Sequence, residues 1–193
     1  MTNTEKYLSY FKMMAKALSD FIPVFAFALS FEISRNFFMA TFVLVFMTIA
    51  LTFYTFLNQK RIPYLALIIC LETSLFGFLT IHNRSPSFVQ LRDTLYDFSM
   101  GMAILGSAIL FKRPIIKNFF EHVFTLEHRD WMNLSYGWGV LLLIFAFCNE
   151  YVRHNFPTYM WVKYKFAVMI TTILFGALLM FIYKKKISKM PGF

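Results

Sequence analysis

Charged and conformationally flexible residues are scarce in this chain of 193 residues. Only 15% of the residues are charged, and there are 7 glycines and 2 cysteines. A soluble chain of this size exposes so much surface that it needs more polar residues to cover it. This composition excludes a soluble enzyme domain, a disordered chain and a collagen-like chain.

Residue patterns that carry chemistry are also missing. Both cysteines, Cys70 and Cys148, lie inside apolar runs, where buried and inert thiols are the favoured interpretation. The histidines are too scattered for a zinc site, and there is neither a glycine-rich phosphate loop nor a nucleophile elbow. We therefore expect no catalytic residue, no cofactor and no metal site, and we do not expect an enzyme.

Long apolar runs are what the sequence has in abundance. Hydrophobic residues make up 59% of the chain, and 26 residues are phenylalanine. A helix needs about 20 apolar residues to cross about 30 Å of hydrocarbon, and an isolated strand cannot satisfy its backbone there. The sequence predicts an all-α, polytopic helical membrane protein with a single membrane domain over residues 1–193. The five predicted transmembrane helices are 37–57, 63–81, 94–111, 131–152 and 162–183.

Three further segments have weaker membrane signals. Residues 21–34 are apolar but short and contain Pro23, so this segment is either a sixth span, a re-entrant helix or an interfacial helix. Residues 1–19 mix aromatic, methionine and lysine residues, which is typical of a basic amphipathic helix on a membrane surface. The connection 112–130 has apolar residues at helical spacing and predicts an amphipathic helix on the cytoplasmic leaflet.

The positive charges are better explained by membrane orientation than by nucleic-acid binding. The chain has 19 Lys and Arg against 10 Asp and Glu, but its cations lie in short clusters between apolar runs. Cytoplasmic loops of membrane proteins retain Lys and Arg, so we expect a cytoplasmic C-terminus and no nucleic-acid partner. The clusters that fall on that side are Lys60-Arg61, Lys112-Arg113 and Lys184-Lys185-Lys186.

A few ionisable residues lie inside the predicted spans. Such a group costs about 2.5–3.5 kcal/mol on insertion scales, so each should face protein or water and have a partner. Glu72 lies deepest, as either a functional group or a protonated carboxyl group hydrogen-bonded to a neighbouring helix. The candidate functional polar positions are Glu72, Arg92, Asp97, Glu150 and Lys165.

Acids and bases also gather near the helix ends that the orientation places outside the cytoplasm. They either form an ion-paired network that ties these ends together or extend separately into the headgroups. Glu150 and Arg153 have the i,i+3 spacing of a pair within one helix. The residues of this expected network are Glu32, Arg35, Arg92, Asp93, Asp97, Glu150, Arg153, Lys163 and Lys165.

Small residues recur every four positions in the predicted span 94–111. They are Ser99, Ala103 and Ser107. Small residues at this spacing allow helix backbones to approach closely. We therefore expect these three positions to pack against another helix.

A series of short motifs, taken in order, resembles a known family. The motifs are Leu18-Ser19-Asp20-Phe21-Ile22-Pro23, Phe76-Gly77, His82-Asn83, Thr94, Lys112-Arg113-Pro114-Ile115-Ile116, Thr125-Leu126, Trp131, Trp138, Asn149, Tyr151 and Trp161-Val162 with Lys165. Over residues 18–186 they resemble the intracellular septation protein A family. Gln90 and Arg92 replace two lysines of the family pattern, and Ser135 and Lys163 also depart from it, so no role of those side chains is carried over.

The resemblance implies a bacterial inner-membrane, multi-pass protein that supports cell-envelope maintenance, septation and cell division. Its expected partners are membrane lipids and membrane proteins of cell division and cell-wall elongation, and a homo-oligomer is compatible with the sequence. A non-catalytic scaffold acting through helix contacts is the leading hypothesis. The alternative is a small transporter or lipid-handling protein that uses Glu72 and the outer charge cluster.

Overall fold

Helices form almost all of the part of the chain described by the computed structural model, residues 21–59, 64–120 and 126–183. No strand occurs in these residues, and the predicted all-α class is confirmed. The predicted amphipathic segment 1–19 lies outside them. The helices are α1 (Ile22–Ser34), α2 (Phe37–Gln59), α3 (Tyr64–His82), α4 (Ser87–Leu110), α5 (Ile116–Phe120), α6 (His128–Asn155) and α7 (Thr158–Tyr183).

Three of the described helices are long and apolar enough to cross a membrane. They are α2 over Phe37–Asn58, α6 and α7. These helices include the predicted spans 37–57, 131–152 and 162–183. Within α3 the shorter apolar stretch is Ala66–His82. The length of these helices and their apolar composition identify the chain as a helical membrane protein.

The remaining helices differ from a uniformly apolar span in length or in composition. α1 has 13 residues, which extend over about 20 Å at 1.5 Å per residue, less than the hydrocarbon thickness. α4 has 24 residues, but its N-terminal half carries Gln90, Arg92, Asp93 and Asp97. α5 is a single short helix within the predicted amphipathic connection, of which residues 121–125 are not described.

The first compact unit, Met1–Arg92, is built around α2. α1 packs against one side of α2, and α3 also packs against α2. The turn between α1 and α2 is short because Arg35 adopts a left-handed conformation with a φ of 51°. Asn36 caps the N-terminus of α2, because its side-chain oxygen accepts a hydrogen bond from the amide of Phe38 at 2.9 Å.

The second compact unit, Asp93–Phe193, contains the rest of α4 together with α5, α6 and α7. At one end of this unit, α5 packs on α6 through the buried side chains of Ile116, Trp131 and Leu134. Further along, the rings of Trp138 on α6 and Phe175 on α7 pack edge to face, with 5.2 Å between their centroids. This end of the unit is therefore held by apolar contacts.

Glycines set the closest approach between α4 and α6. A Cβ atom added to Gly139 would lie 2.5 Å from the Cγ atom of Leu105 and 3.4 Å from the carbonyl oxygen of Gly101. A Cβ atom on Gly101 would lie 3.1 Å from the carbonyl oxygen of Gly139. The two helices therefore cross where neither has a side chain.

The small residues predicted to pack are placed differently from one another. Ser99 and Ala103 are exposed on α4, whereas Ser107 is buried and donates its hydroxyl group to the carbonyl oxygen of Arg113. The close contact of α4 within this unit falls on Gly101, which the four-residue spacing did not include.

The helix surfaces carry many exposed apolar side chains. Phe147 is 84% exposed, and Phe181 and Leu110 are nearly as accessible. Such surfaces are stable in lipid, which solvates apolar groups. The interpretation of the cysteines as buried was wrong, because Cys148 is exposed on α6 and Cys70 is half-buried. A thiol is apolar enough to face lipid without a partner.

Candidate functional site: a polar cluster joining three helices

Polar side chains from three helices meet within the second unit. They come from the N-terminal half of α4, the last two turns of α6 and the first two turns of α7. We call them the three-helix polar cluster. Its members are Asp93, Thr94, Asn149, Glu150, Arg153, His154, Trp161 and Lys165.

Helical spacing explains why these side chains share one site. On α6 the residues Asn149, Glu150, Arg153 and His154 are separated by one, three, four or five positions, which places them on adjoining parts of one helix face. On α7 Trp161 and Lys165 are four residues apart. Each helix therefore presents its polar residues together, and each does so near the same end of the unit.

A directed chain of hydrogen bonds crosses the cluster. The indole Nε1–H of Trp161 donates to Oδ1 of Asn149 at 2.8 Å, and Nδ2 of Asn149 donates to Oγ1 of Thr94, also at 2.8 Å. The hydroxyl group of Thr94 donates to Oε2 of Glu150 at 3.0 Å. Because an indole N–H can only donate, the orientation of the Asn149 amide and of each later bond is fixed.

The residues at the start of this chain are completely enclosed. Asn149 and Trp161 are each 1% exposed. A buried amide or indole without a partner costs about 1–3 kcal/mol, and each of these two groups supplies the other with such a partner. Trp161 is therefore a packing anchor with a polar contact and not a free interfacial residue.

The carboxylate of Glu150 is 38% exposed and contacts three polar side chains. Nε of Arg153 lies 3.1 Å from Oε2, and Nη2 of the same side chain donates to Oε1. Nε2 of His154 lies 2.8 Å from Oε1. Together with Thr94, three side chains contact the two oxygens of this carboxylate, and the guanidinium group of Arg153 balances its negative charge.

A second ion pair joins α4 to α7. Nζ of Lys165 lies 2.6 Å from Oδ2 of Asp93, and the two side chains are 17% and 5% exposed. The ammonium group also lies 6.0 Å from the centre of the Trp161 ring. Breaking such a buried pair by removing one partner costs about 3–5 kcal/mol, because the other charge is left uncompensated.

Tyr164 extends the polar region towards the middle of α6. Its hydroxyl group donates to the backbone carbonyl oxygen of Phe145 at 2.8 Å. Asp97 follows Asp93 by one turn of α4. Asp97 thus borders the cluster, and the hydrogen bonds and the ion pair described above involve other residues.

The cluster can tie helices together, and it offers little for metal binding. In residues 21–59, 64–120 and 126–183, no group of three or more His, Cys, Asp or Glu side chains is placed to share a metal ion. The single carboxylates of Asp93 and Glu150 are each occupied by cationic side chains.

The polar positions predicted from the sequence are distributed between the two units. Glu150 and Lys165 lie in the cluster, and Asp97 borders it. Arg92 is the last residue of the first unit, and its Nη1 donates to Oγ1 of the buried Thr73 at 2.7 Å. Glu72 is half-buried and makes no hydrogen bond or ion pair with a described residue of its own unit.

The other members of the expected ionic network make local contacts. Glu32 and Arg35 pair with each other at 2.8 Å at the exposed end of α1. The ammonium group of Lys163 is exposed and lies 5.8 Å from the centre of the Tyr159 ring. The i,i+3 pair between Glu150 and Arg153 is present.

Three central residues of the cluster were not among the predicted functional positions. Thr94, Asn149 and Trp161 enter the sequence analysis only as parts of the family resemblance. Their polar groups are neutral, so they do not stand out as charges within an apolar segment do. The available signal was the position of Asn149 beside Glu150, close to the end of a long apolar run.

These features define a helical, multi-pass membrane protein whose second unit is tied at one end by buried polar contacts. The profile of the family "Intracellular septation protein A" matches residues 15–190. The chain therefore belongs to the intracellular septation protein A family.

Curated relatives agree on the location in the cell. An "Inner membrane-spanning protein YciB" from Hydrogenovibrio crunogenus is 27% identical over 161 residues, which cover 83% of this chain and 75% of that protein. Proteins of the same name from Yersinia pestis strain Pestoides F and Yersinia pseudotuberculosis strain IP 31758 are each 26% identical over 161 residues, covering 83% of this chain and 89% of theirs. The chain is thus an inner-membrane protein. No solved structure matches it.

Proposed function

We propose that this chain supports cell-envelope maintenance and septation as a non-catalytic scaffold in the inner membrane. It would act through helix contacts with membrane proteins of cell division and cell-wall elongation. The observation that carries the proposal is the mutual pairing of the cluster's polar groups. A carboxylate already held by Arg153, His154 and Thr94 is poorly suited to act as a base or to capture a substrate.

The apolar helix faces are the surfaces proposed to meet these partners. Phe147 points away from the protein on α6, whereas Phe145, two residues earlier, is 7% exposed. Between helices in lipid, shape and close packing drive association more than the hydrophobic effect does. Large aromatic side chains on such a face give a partner helix specific contacts to fit.

In-cell photocrosslinking tests the scaffold role directly. A photoreactive amino acid at Phe147 should capture division or elongation membrane proteins, identified by mass spectrometry. The matched control is the same amino acid at Phe145, which should form no crosslink to another protein because that position is buried. Equal capture from both positions, or capture of lipid alone at Phe147, would contradict the proposal.

A clean deletion provides the corresponding genetic test. The scaffold role predicts disturbed cell shape, envelope integrity or septum placement, restored by the intact gene. Normal morphology and normal osmotic tolerance in the deletion strain would count against the proposed function.

The second candidate is a small transporter or lipid-handling protein that uses Glu72 and the outer charge cluster. It is favoured by the absence of a hydrogen-bond or ion-pair partner for Glu72 within the described residues of its unit. A carboxyl group in an apolar helix without such a partner is suited to a transported proton, ion or headgroup.

The variant Glu72→Gln separates the two candidates. Loss of the complementing activity with unchanged detergent stability would favour transport or lipid handling. Full complementation would favour the scaffold, because the amide removes the charge and keeps the shape of the side chain.

A further inference from the structure

An open, mainly apolar groove of about 490 Å³ runs beside the C-terminal half of α4. Its floor is formed by small residues, and a Cβ atom added to Gly106 would meet no heavy atom within 4 Å. Two of its walls are exposed side chains, since Met102 is 50% and Leu110 is 74% exposed. The residues that define the groove are Met102, Ala103, Gly106, Leu110, Arg113 and Ile115.

The backbone holds a cation at the mouth of this groove. The amide of Arg113 donates to the carbonyl oxygen of Ser107 at 3.1 Å, and the Ser107 hydroxyl group donates back to the carbonyl oxygen of Arg113. Lys112, which lies between the end of α4 and Arg113, has a φ of 51°. Arg113 is therefore fixed by both of its main-chain polar groups, and only its side chain is free to move.

The charge at this position is unbalanced within the described part of the chain. The side chains of Lys112 and Arg113 are exposed and make no hydrogen bond or ion pair with a described residue. Residues 98–120 contain no Asp or Glu. Two cations thus stand at the end of an apolar groove without an ion pair to a described residue, and the nearest acidic residues in the sequence are Asp97 and Glu121.

We infer that this groove binds one phospholipid with an anionic headgroup. An acyl chain lies against Met102, Gly106 and Leu110, and the phosphate group pairs with Arg113 and Lys112. A guanidinium group can donate two parallel hydrogen bonds to one phosphate, and basic residues next to a membrane segment attract anionic lipids. This inference is independent of the proposed role in septation, because it concerns lipid and not a protein partner.

Thermal unfolding of the purified full chain in detergent tests the inference. Dioleoyl phosphatidylglycerol should raise Tm by about 4 °C more than dioleoyl phosphatidylcholine does at the same concentration. The double variant Lys112→Gln/Arg113→Gln should lose this difference, because the anionic headgroup no longer has a cationic partner. Inorganic phosphate should give no comparable rise, since it lacks the acyl chain.

Filling the groove is the second arm of the test. Gly106→Leu should also lose the preference for phosphatidylglycerol, because the new side chain occupies the floor of the groove. Gly176→Leu is the matched control on α7, since a Cβ atom there also meets nothing within 4 Å, and it should keep the preference.

Three results would overturn the inference. The first is an equal rise in Tm with both lipids for the unmodified chain. The second is a preference that survives both Gly106→Leu and the double variant. The third is a dimer in detergent that Gly106→Leu dissociates while the lipid preference is kept, because the groove would then be an interface between two copies.

Discussion

At the residue scale, Asn149 connects three helices through one side-chain amide. It accepts from Trp161 on α7 and donates to Thr94 on α4, and it is itself part of α6. An amide can perform both functions at once because it carries an acceptor and donors on one rigid group. A carboxylate at this position could not donate to Thr94, and an apolar side chain could make neither bond.

The variant Asn149→Leu should therefore destabilise the chain by about 1–3 kcal/mol, since the buried Trp161 N–H loses its acceptor. In detergent this loss corresponds to a fall in Tm of about 2–12 °C for a chain of this size. Asn155→Leu is the control, because Asn155 is exposed at the end of α6 and should change stability by less than about 0.5 kcal/mol. Indistinguishable Tm values for the two variants would contradict the described chain of hydrogen bonds.

The two lysines of α7 make a second comparison between a buried and an exposed residue. Lys165 is paired with Asp93, whereas Lys163 is exposed. Lys165→Glu places two carboxylates side by side and should cost about 3–5 kcal/mol or more, measured by thermal unfolding in detergent. Lys163→Glu should stay within about 1 kcal/mol. Unchanged melting of the Lys165 variant would show that the Asp93 pair does not hold α4 to α7.

At the scale of the helix, the crossing of α4 and α6 depends on backbone contact at Gly101 and Gly139. Gly139→Ala should destabilise the chain by about 1–3 kcal/mol, because the methyl group meets Leu105 at a distance that no relaxed contact allows. Gly176→Ala should be neutral or stabilise by up to about 1 kcal/mol, since alanine favours the helix and nothing lies within 4 Å. Equal effects in a thermal unfolding assay would argue against a tight crossing.

The sequence was sufficient to predict the long apolar helices and insufficient to predict how they meet. An apolar run such as the one in α2 is recognised without knowing its neighbours, because the lipid alone sets its length. The contact of Gly101 with Gly139 depends on the rotation of two helices about their axes, which no single helix encodes. The spacing of Ser99, Ala103 and Ser107 was visible in the sequence, yet the first two are exposed in this unit.

For the candidate site too, the sequence predicts some of the residues but not how they contact one another. Charges in apolar segments pointed to Glu150 and Lys165, because burying a charge is costly and calls for a partner. The identity of the partners required the structure, since Asp93 and Thr94 are more than fifty residues away in sequence from the α6 and α7 residues that they contact. The neutral residues Asn149 and Trp161 gave no comparable signal.

At the scale of the whole molecule, the distribution of positive charges predicts the membrane orientation. The clusters Lys60-Arg61, Lys112-Arg113 and Lys184-Lys185-Lys186 favour a cytoplasmic C-terminus under the positive-inside rule. A reporter fused at residue 190 should be active only in the cytoplasm, and one fused at residue 85 only outside it. An external signal at residue 190 would reverse the assignment.

The most direct test of the central claim is complementation by a variant that lacks both charges of the buried pair. Lys165→Met alone should lower Tm, and Asp93→Asn with Lys165→Met should recover most of the loss because no buried charge is left uncompensated. If the cluster has a structural role, the double variant should restore septum formation in the deletion strain as well as Tm. Septation that stays defective although Tm recovers would contradict the account, since the charges themselves would then be needed for chemistry or transport.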